Sequence, residues 1–181
     1  YNHFESKEAL HAAVVDWVFE DFGRAIDRLV AGIPDIAEGI SVSVRHTLLR
    51  ARRERIWGLF LVRQGISVRD LRQGLGLRLF RDIKKGIKAR RFSVHDPLMA
   101  LMVTGGIILG SIVLESQSAT RRPLLLEGLG LVGPDLPERT AAMLLQTLGL
   151  GRSEAMSIAQ RPLPKAVDGG APGSTPGGCV P

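Results

Sequence analysis

Apolar positions in this chain recur at helical spacing almost from its first residue. Leu10, Val14, Trp17, Val18, Phe22, Ile26 and Leu29 fall mostly three or four apart, which gathers them on one stripe of a helix. Ser6 can cap that helix ahead of Lys7, and Gly32 and Pro34 end it near Ala31. Asp35 offers a second cap, before Ile36, Ile40, Val44, Leu48 and Ala51. An apolar run from Ile56 to Val62 follows, interrupted by Gly58 and ended near Gly65. Leu71, Leu75, Leu79, Ile83 and Ile87 then recur every four residues toward Arg91. Asp96-Pro97 is a helix-start pair, N-cap plus first-turn proline, for an element reaching Ser116. Prolines and glycines between 119 and 137 predict a partly ordered connection holding at most one helical turn. The last predicted helix spans Glu138 to Leu148, with Ala141, Leu144, Leu145 and Leu148 on one face. From 151 to 181 the chain reads as a Gly/Pro-rich tail, and beyond Arg161 its composition predicts disorder. No alternating strand pattern competes, so the expected fold class is all-α.

Composition narrows this little. A chain of 181 residues with 45% hydrophobic content can bury one sizeable core, and 23% charged residues is ordinary for a soluble domain. The net charge of +6 and a pI near 10.2 suit a polyanion neighbour without specifying one. The basic residues cluster in two runs, Arg50, Arg52, Arg53 and Arg55, then Arg78, Arg81, Lys84, Lys85, Lys88, Arg90 and Arg91. Aromatics hardly interleave with them, so both runs read as solvated faces near helix ends and not as a nucleic-acid groove. Cys179 is alone, which excludes an internal disulfide and fits a reducing, cytoplasmic setting.

The most specific information lies in the first ten residues. Tyr1, His3, Phe4, Ser6, Lys7, Glu8 and Leu10 spell Tyr-x-His-Phe-x-Ser-Lys-Glu-x-Leu. This resembles the signature that closes the helix-turn-helix domain of TetR-family transcriptional regulators. The resemblance implies that residues 1–6 are the end of a DNA-binding domain whose base-reading part lies upstream. It also implies that Tyr1, His3 and Lys7 touch DNA phosphates, with Phe4 packed beneath them. A lysine at a helix start adds charge to N–H groups that already favour an anion, and such contacts position a protein without reading bases. For residues 7–150 the resemblance implies a helical bundle like the family's C-terminal domain, with a small effector among the middle helices and a homodimer through the last two long ones. Arg91-Phe92-Ser93-Val94-His95-Asp96-Pro97 is similar to the family's link into its penultimate helix. The implied function is a repressor whose affinity for its DNA operator changes when effector binds, with no catalysis and no cofactor.

From Pro97 to Leu114 the chain carries no charge. A helix apolar on every side is buried on every side, either in lipid or between its own core and a partner. The amphipathic flanking helices favour the dimer core. Gly105, Gly106, Leu109, Gly110 and Val113, joined by Leu144 and Leu148, are the expected interface across a two-fold axis. The alternative is a membrane-associated protein anchored by 97–114; the preferred reading has no membrane partner.

Other constellations carry little. Gly128-Leu129-Gly130-Leu131-Val132-Gly133 matches the dinucleotide fingerprint as a string, but Pro134 and Pro137 follow where a helix would have to run. His3, His11, His46 and His95 have no metal-ligand spacing, and no nucleophile elbow or phosphate loop occurs, so neither a metal nor a catalytic site is expected. An effector pocket needs apolar walls with a few polar groups. His46, Trp57, Phe60, Gln64 and Thr104 lie on or beside the apolar faces of the middle helices and are the expected lining.

Overall fold

The computed structural model describes residues 6–64, 74–118 and 128–164. Seven helices fill most of that span, and local side-chain caps open three of them. At α1 (Lys7–Val30) Ser6 Oγ accepts from the Ala9 N–H at 3.1 Å. At α2 (Ile36–Arg53) the Asp35 carboxylate accepts from the Ala37 N–H at 3.0 Å. α3 (Arg55–Gln64) and α4 (Leu75–Lys88) come next. α5 (Pro97–Ser118) starts where the Asp96 carboxylate accepts from the Leu98 and Met99 N–H groups, each at 3.0 Å. α6 (Leu136–Thr147) begins two residues ahead of Glu138, because Pro137 takes the first turn and is itself buried.

α2 is the hub, touching each of the other six described helices. Ala37, Ile40, Val42, Val44, Leu48 and Ala51 are buried on several of its sides, so it runs through the core and not over it. Gly58 does not interrupt α3. A Cβ there would lie 3.0 Å from Ala51 Cβ and 3.2 Å from Ile112 Cγ2, so its absence lets α3 cross close to α2 and α5. Along α1 the buried stripe is Val15, Phe19, Phe22 and Ile26. Leu10, Val14 and Trp17, expected on that stripe, are exposed instead. The two sets are rotated by about one residue, a distinction that apolar spacing alone cannot make.

The expected tail from 151 needs correction. Arg152–Ala159 forms α7, with Ala155, Ile158 and Ala159 buried against the bundle. Three charged contacts hold it and the strand-free segment after it. Arg91 pairs with Glu154 at 2.8 Å, buried Arg45 donates to the Arg161 carbonyl at 2.7 Å, and Arg161 pairs with Glu38. The apolar triplet at i, i+3 and i+4 was the available signal, short enough to be hidden by the composition that follows it. Residues 165–181, including Cys179, lie outside the described residues.

The basic runs also differ from solvated faces. Arg50 stacks over Trp57, 4.6 Å from the ring centroid, and over Phe22 at 5.0 Å. Arg52 grips Glu115 of α5 and donates to the carbonyls of Gly133 and Pro134 at 3.0 and 3.2 Å. Arg78, Arg81 and Arg91 bridge elements, and Lys84 lies over the Phe80 ring, while Lys88 and Arg90 face water. The glycine string ends in a turn, with Gly130 at φ 64° and its carbonyl accepting from Arg139 at 2.6 Å; no strand occurs among the described residues.

Asp35 does double duty, capping α2 and receiving a fork from Arg91 with both N···O distances at 3.0 Å. The Arg91 hydrogen bonds hold its carboxyl below the ordinary value of 3.8, against the opposing push of burial. A depressed acid stabilises the fold above its unfolded value and loses that contribution as pH falls through its folded one. Asparagine caps as well as aspartate. Asp35→Asn is therefore expected to lower the urea midpoint at pH 6 and to match the unsubstituted chain near pH 2, as read by circular dichroism.

Candidate effector cavity

α1, α2, α4 and α5 leave between them a cavity of about 440 Å³, with Leu61 of α3 at its edge. This volume lies in the range of small-molecule sites. Its walls are mostly apolar. Phe22 and Ile26 come from α1, Ile40 and Val44 from α2, Leu75 and Leu79 from α4, and Leu101 and Leu109 from α5. The pairs on α1, α2 and α4 are four residues apart and the α5 pair eight, so each pair shares one face of its helix.

The polar groups on this wall are Ser43, Thr47, Asp27, Arg78 and Asp82. Their protons are already committed. Ser43 Oγ donates to the Gly39 carbonyl and Thr47 Oγ1 to the Ser43 carbonyl, both at 2.8 Å. Arg78 gives Nε to Asp27 at 2.9 Å, and Nη1 and Nη2 to Glu20 at 3.1 Å each. Arg81 reaches Asp27 through Nη2 and Asp82 through Nε, both at 3.1 Å. What remains for a guest is lone pairs: two hydroxyl oxygens and the carboxylates of Asp27 and Asp82. Burial pushes the Asp27 carboxyl up, but hydrogen bonds from Arg78 and Arg81 outweigh it and hold the group below its ordinary value. Arg78 is correspondingly held above the ordinary arginine value, chiefly by its bonds to Glu20.

None of the five residues expected to line a pocket is on this wall. His46 is half-buried on α2, its Nε2 without a hydrogen-bond partner; burial lowers its pKa from 6.5, with the Pro164 carbonyl opposing. Trp57 meets Phe22 edge-on at 4.7 Å, and Phe60 packs on Phe19 at 5.5 Å, so both are core. Gln64 closes α3 outside the cavity. Thr104 is fully buried and donates to its own helix at Ala100 and Leu101, at 2.7 and 3.1 Å. The residues that sequence reasoning missed are Asp27, Arg78, Arg81 and Asp82. Their spacing of three and four along α4 put three of them beside Leu75 and Leu79, but charge alone made them look solvated.

The expected interface residues also divide. Gly105, Gly106 and Leu109 border the cavity. Gly110 is exposed and Val113 half-buried, but Leu144 and Leu148 are 0% exposed and belong to the chain's own core. Their place on the outside of α6 is taken by Met143. α5 remains long and apolar enough to cross a membrane, and only 28% of its apolar stretch is buried within the chain. Lys7 is exposed at the start of α1, whereas Tyr1, His3 and Phe4 lie outside the described residues. Among the described residues no group of acids, histidines or cysteines could hold a metal.

The described helices thus form an all-helical bundle around a cavity of ligand size. The family profile described as the tetracyclin repressor-like C-terminal domain matches residues 35–161. The chain therefore belongs to the TetR family of transcriptional regulators. It is similar to the crystal structure of RolR in complex with resorcinol, with 31% identity and a TM-score of 0.70, over 92% of this chain and 77% of that one. RolR without ligand is similar at 30% identity and a TM-score of 0.69, over 92% and 80%. No curated protein matches the sequence.

Proposed function

We propose that this chain is the effector-binding and dimerisation region of a TetR-type repressor, and that its effector is a small uncharged aromatic bearing hydroxyl groups. The carrying observation is the polar wall that offers acceptors inside an apolar cavity. A hydroxyl donor satisfies Asp27, Asp82 or Thr47, and a ring fills the space between Phe22, Ile40, Val44 and Leu79. A carboxylate guest would meet the Asp27 and Asp82 charges. RolR, solved with resorcinol, supports this chemistry by likeness. Binding is the whole of the activity, without a catalytic step or cofactor.

Isothermal titration of the full chain with resorcinol tests this, with benzoate as the anionic control. Resorcinol is expected to bind and benzoate not. Asp27→Asn removes a charged acceptor worth about 1.5–3 kcal/mol and is expected to weaken binding roughly 10- to 100-fold. No resorcinol heat from the unsubstituted chain would overturn the reading.

In this reading α1 passes the effector's presence to a DNA-binding segment, in which Tyr1, His3 and Lys7 hold phosphates. Exposed Leu10, Val14 and Trp17 support a further packed domain on the first half of α1. The outward face of α5, with Leu98, Met99 and Val103 exposed beside Gly110, supports a second copy as its cover. Sedimentation velocity is expected to give a dimer for the unsubstituted chain and a monomer for Val103→Glu. Recovery only in detergent would favour the membrane reading instead. The cytoplasm is the expected location.

A further inference from the structure

We propose that Glu20, which lies outside the cavity, is a positioning residue that ties cavity occupancy to the placement of α1 through the guanidinium of Arg78. This rests on reading the cavity as the effector site. Arg78 divides its donors between two acids of α1, giving Nε to Asp27 and both terminal nitrogens to Glu20. The acids stand two turns apart on one face, and Gly23 stands between them on that face. The guanidinium lies across the bare backbone there. A Cβ at Gly23 would come within 2.5 Å of Arg78 Cζ and Nη1 and 2.8 Å of Nε. A side chain at Gly23 would therefore displace the guanidinium from its place between the two acids.

Asp27 and Arg78 belong to the cavity wall, and Glu20 does not. A guest hydroxyl that donates to Asp27 competes with Arg78 and Arg81 for the same carboxylate. Arg78 keeps its forked hold on Glu20, the geometry in which arginine binds a carboxylate most firmly. Any shift of Arg78 is then passed to α1 about two turns closer to Lys7 than Asp27. Ring contacts, Phe19 on Phe60 and Phe22 on Trp57, also hold this part of α1. Glu20 therefore converts a change in the cavity wall into a change at the helix that leads toward the chain's N-terminus.

Amide hydrogen exchange over Lys7–Phe19 reads this coupling without any ligand. In the unsubstituted background, Asp27→Asn is expected to speed exchange there about fivefold, as local opening becomes easier. In a Glu20→Ala background, where exchange is already raised, Asp27→Asn is expected to add nothing. Gly23→Ala expels the guanidinium without altering either acid and is expected to resemble Glu20→Ala, despite alanine's better helix propensity. Equal effects of Asp27→Asn in both backgrounds, or no effect of Gly23→Ala, would overturn the proposal. A second arm adds resorcinol. Glu20→Ala should bind it within about threefold of the unsubstituted chain, yet α1 exchange should no longer respond to it. Should resorcinol fail to bind the unsubstituted chain, the effector reading falls, while the ligand-free variants still decide the coupling.

Discussion

Arg52→Ala is expected to cost about 3–5 kcal/mol of folding stability, because it strands a buried carboxylate. The side chain of Glu115 on α5 is 8% exposed and takes two of the Arg52 donors. The other Arg52 contacts, to the Gly133 and Pro134 carbonyls, hold the turn before α6. Without the guanidinium the carboxylate is left unpaired against the bundle, and the turn loses its anchor as well. Lysine is a poor substitute, since an ammonium cannot fork across a carboxylate and still reach two carbonyls. Urea denaturation should therefore place Arg52→Lys well below the unsubstituted chain. It should place Arg52→Met/Glu115→Gln above Arg52→Ala, because that pair removes both charges together. If Arg52→Ala loses less than about 1 kcal/mol, the pair is behaving as an exposed surface bridge.

Gly86→Ala is expected to cost about 2–3 kcal/mol, despite alanine's preference for helices. A Cβ at Gly86 would stand 2.0 Å from Phe92 Cδ2 and 2.1 Å from Cε2. The ring has little room to retreat, since Phe92 is 4% exposed. The chain also folds back tightly here. Arg90 adopts φ 55°, and the Gly86 carbonyl accepts from both the Arg91 and Phe92 N–H groups, at 2.8 and 3.2 Å. Backbone and ring are locked to the same residue, so relief requires moving a helix end or expelling an aromatic from the core. In a Phe92→Ala background the same substitution is expected to be neutral or stabilising. Thermal melts of the four variants give the cycle, and additive effects would show that the ring is not the obstacle.

The parts of this fold that were legible in the sequence are those whose causes are local. Ser6, Asp35 and Asp96 cap helices through partners two or three residues away, and each was readable as a start. Helical period placed the elements for the same reason. Partnership over long separations was not readable. Leu144 and Leu148 were correctly apolar but pointed to another subunit, because periodicity reports that a face is buried and not against what. The wall of the cavity is no more readable. Asp27 and Arg78 meet across fifty-one positions, and no spacing rule connects them. Aromatic and histidine side chains drew attention as ligand contacts, whereas Trp57 and Phe60 serve as core. The arginines that line and brace the site look solvent-facing in the sequence, because nothing in a single sequence pairs a charge with its distant partner.

α5 is a partition one helix thick. Leu101 and Gly105 face the cavity, while Met99 and Val103 face outward. Two binding events on opposite sides of a single wall cannot be independent when the wall tilts as one body. In the proposed dimer, a guest would change the affinity of one subunit for the other, and subunit pairing would change the affinity for the guest by the same factor. Effector titrations on this protein should therefore depend on protein concentration, a signature that a cavity walled off by two layers of helix would lack.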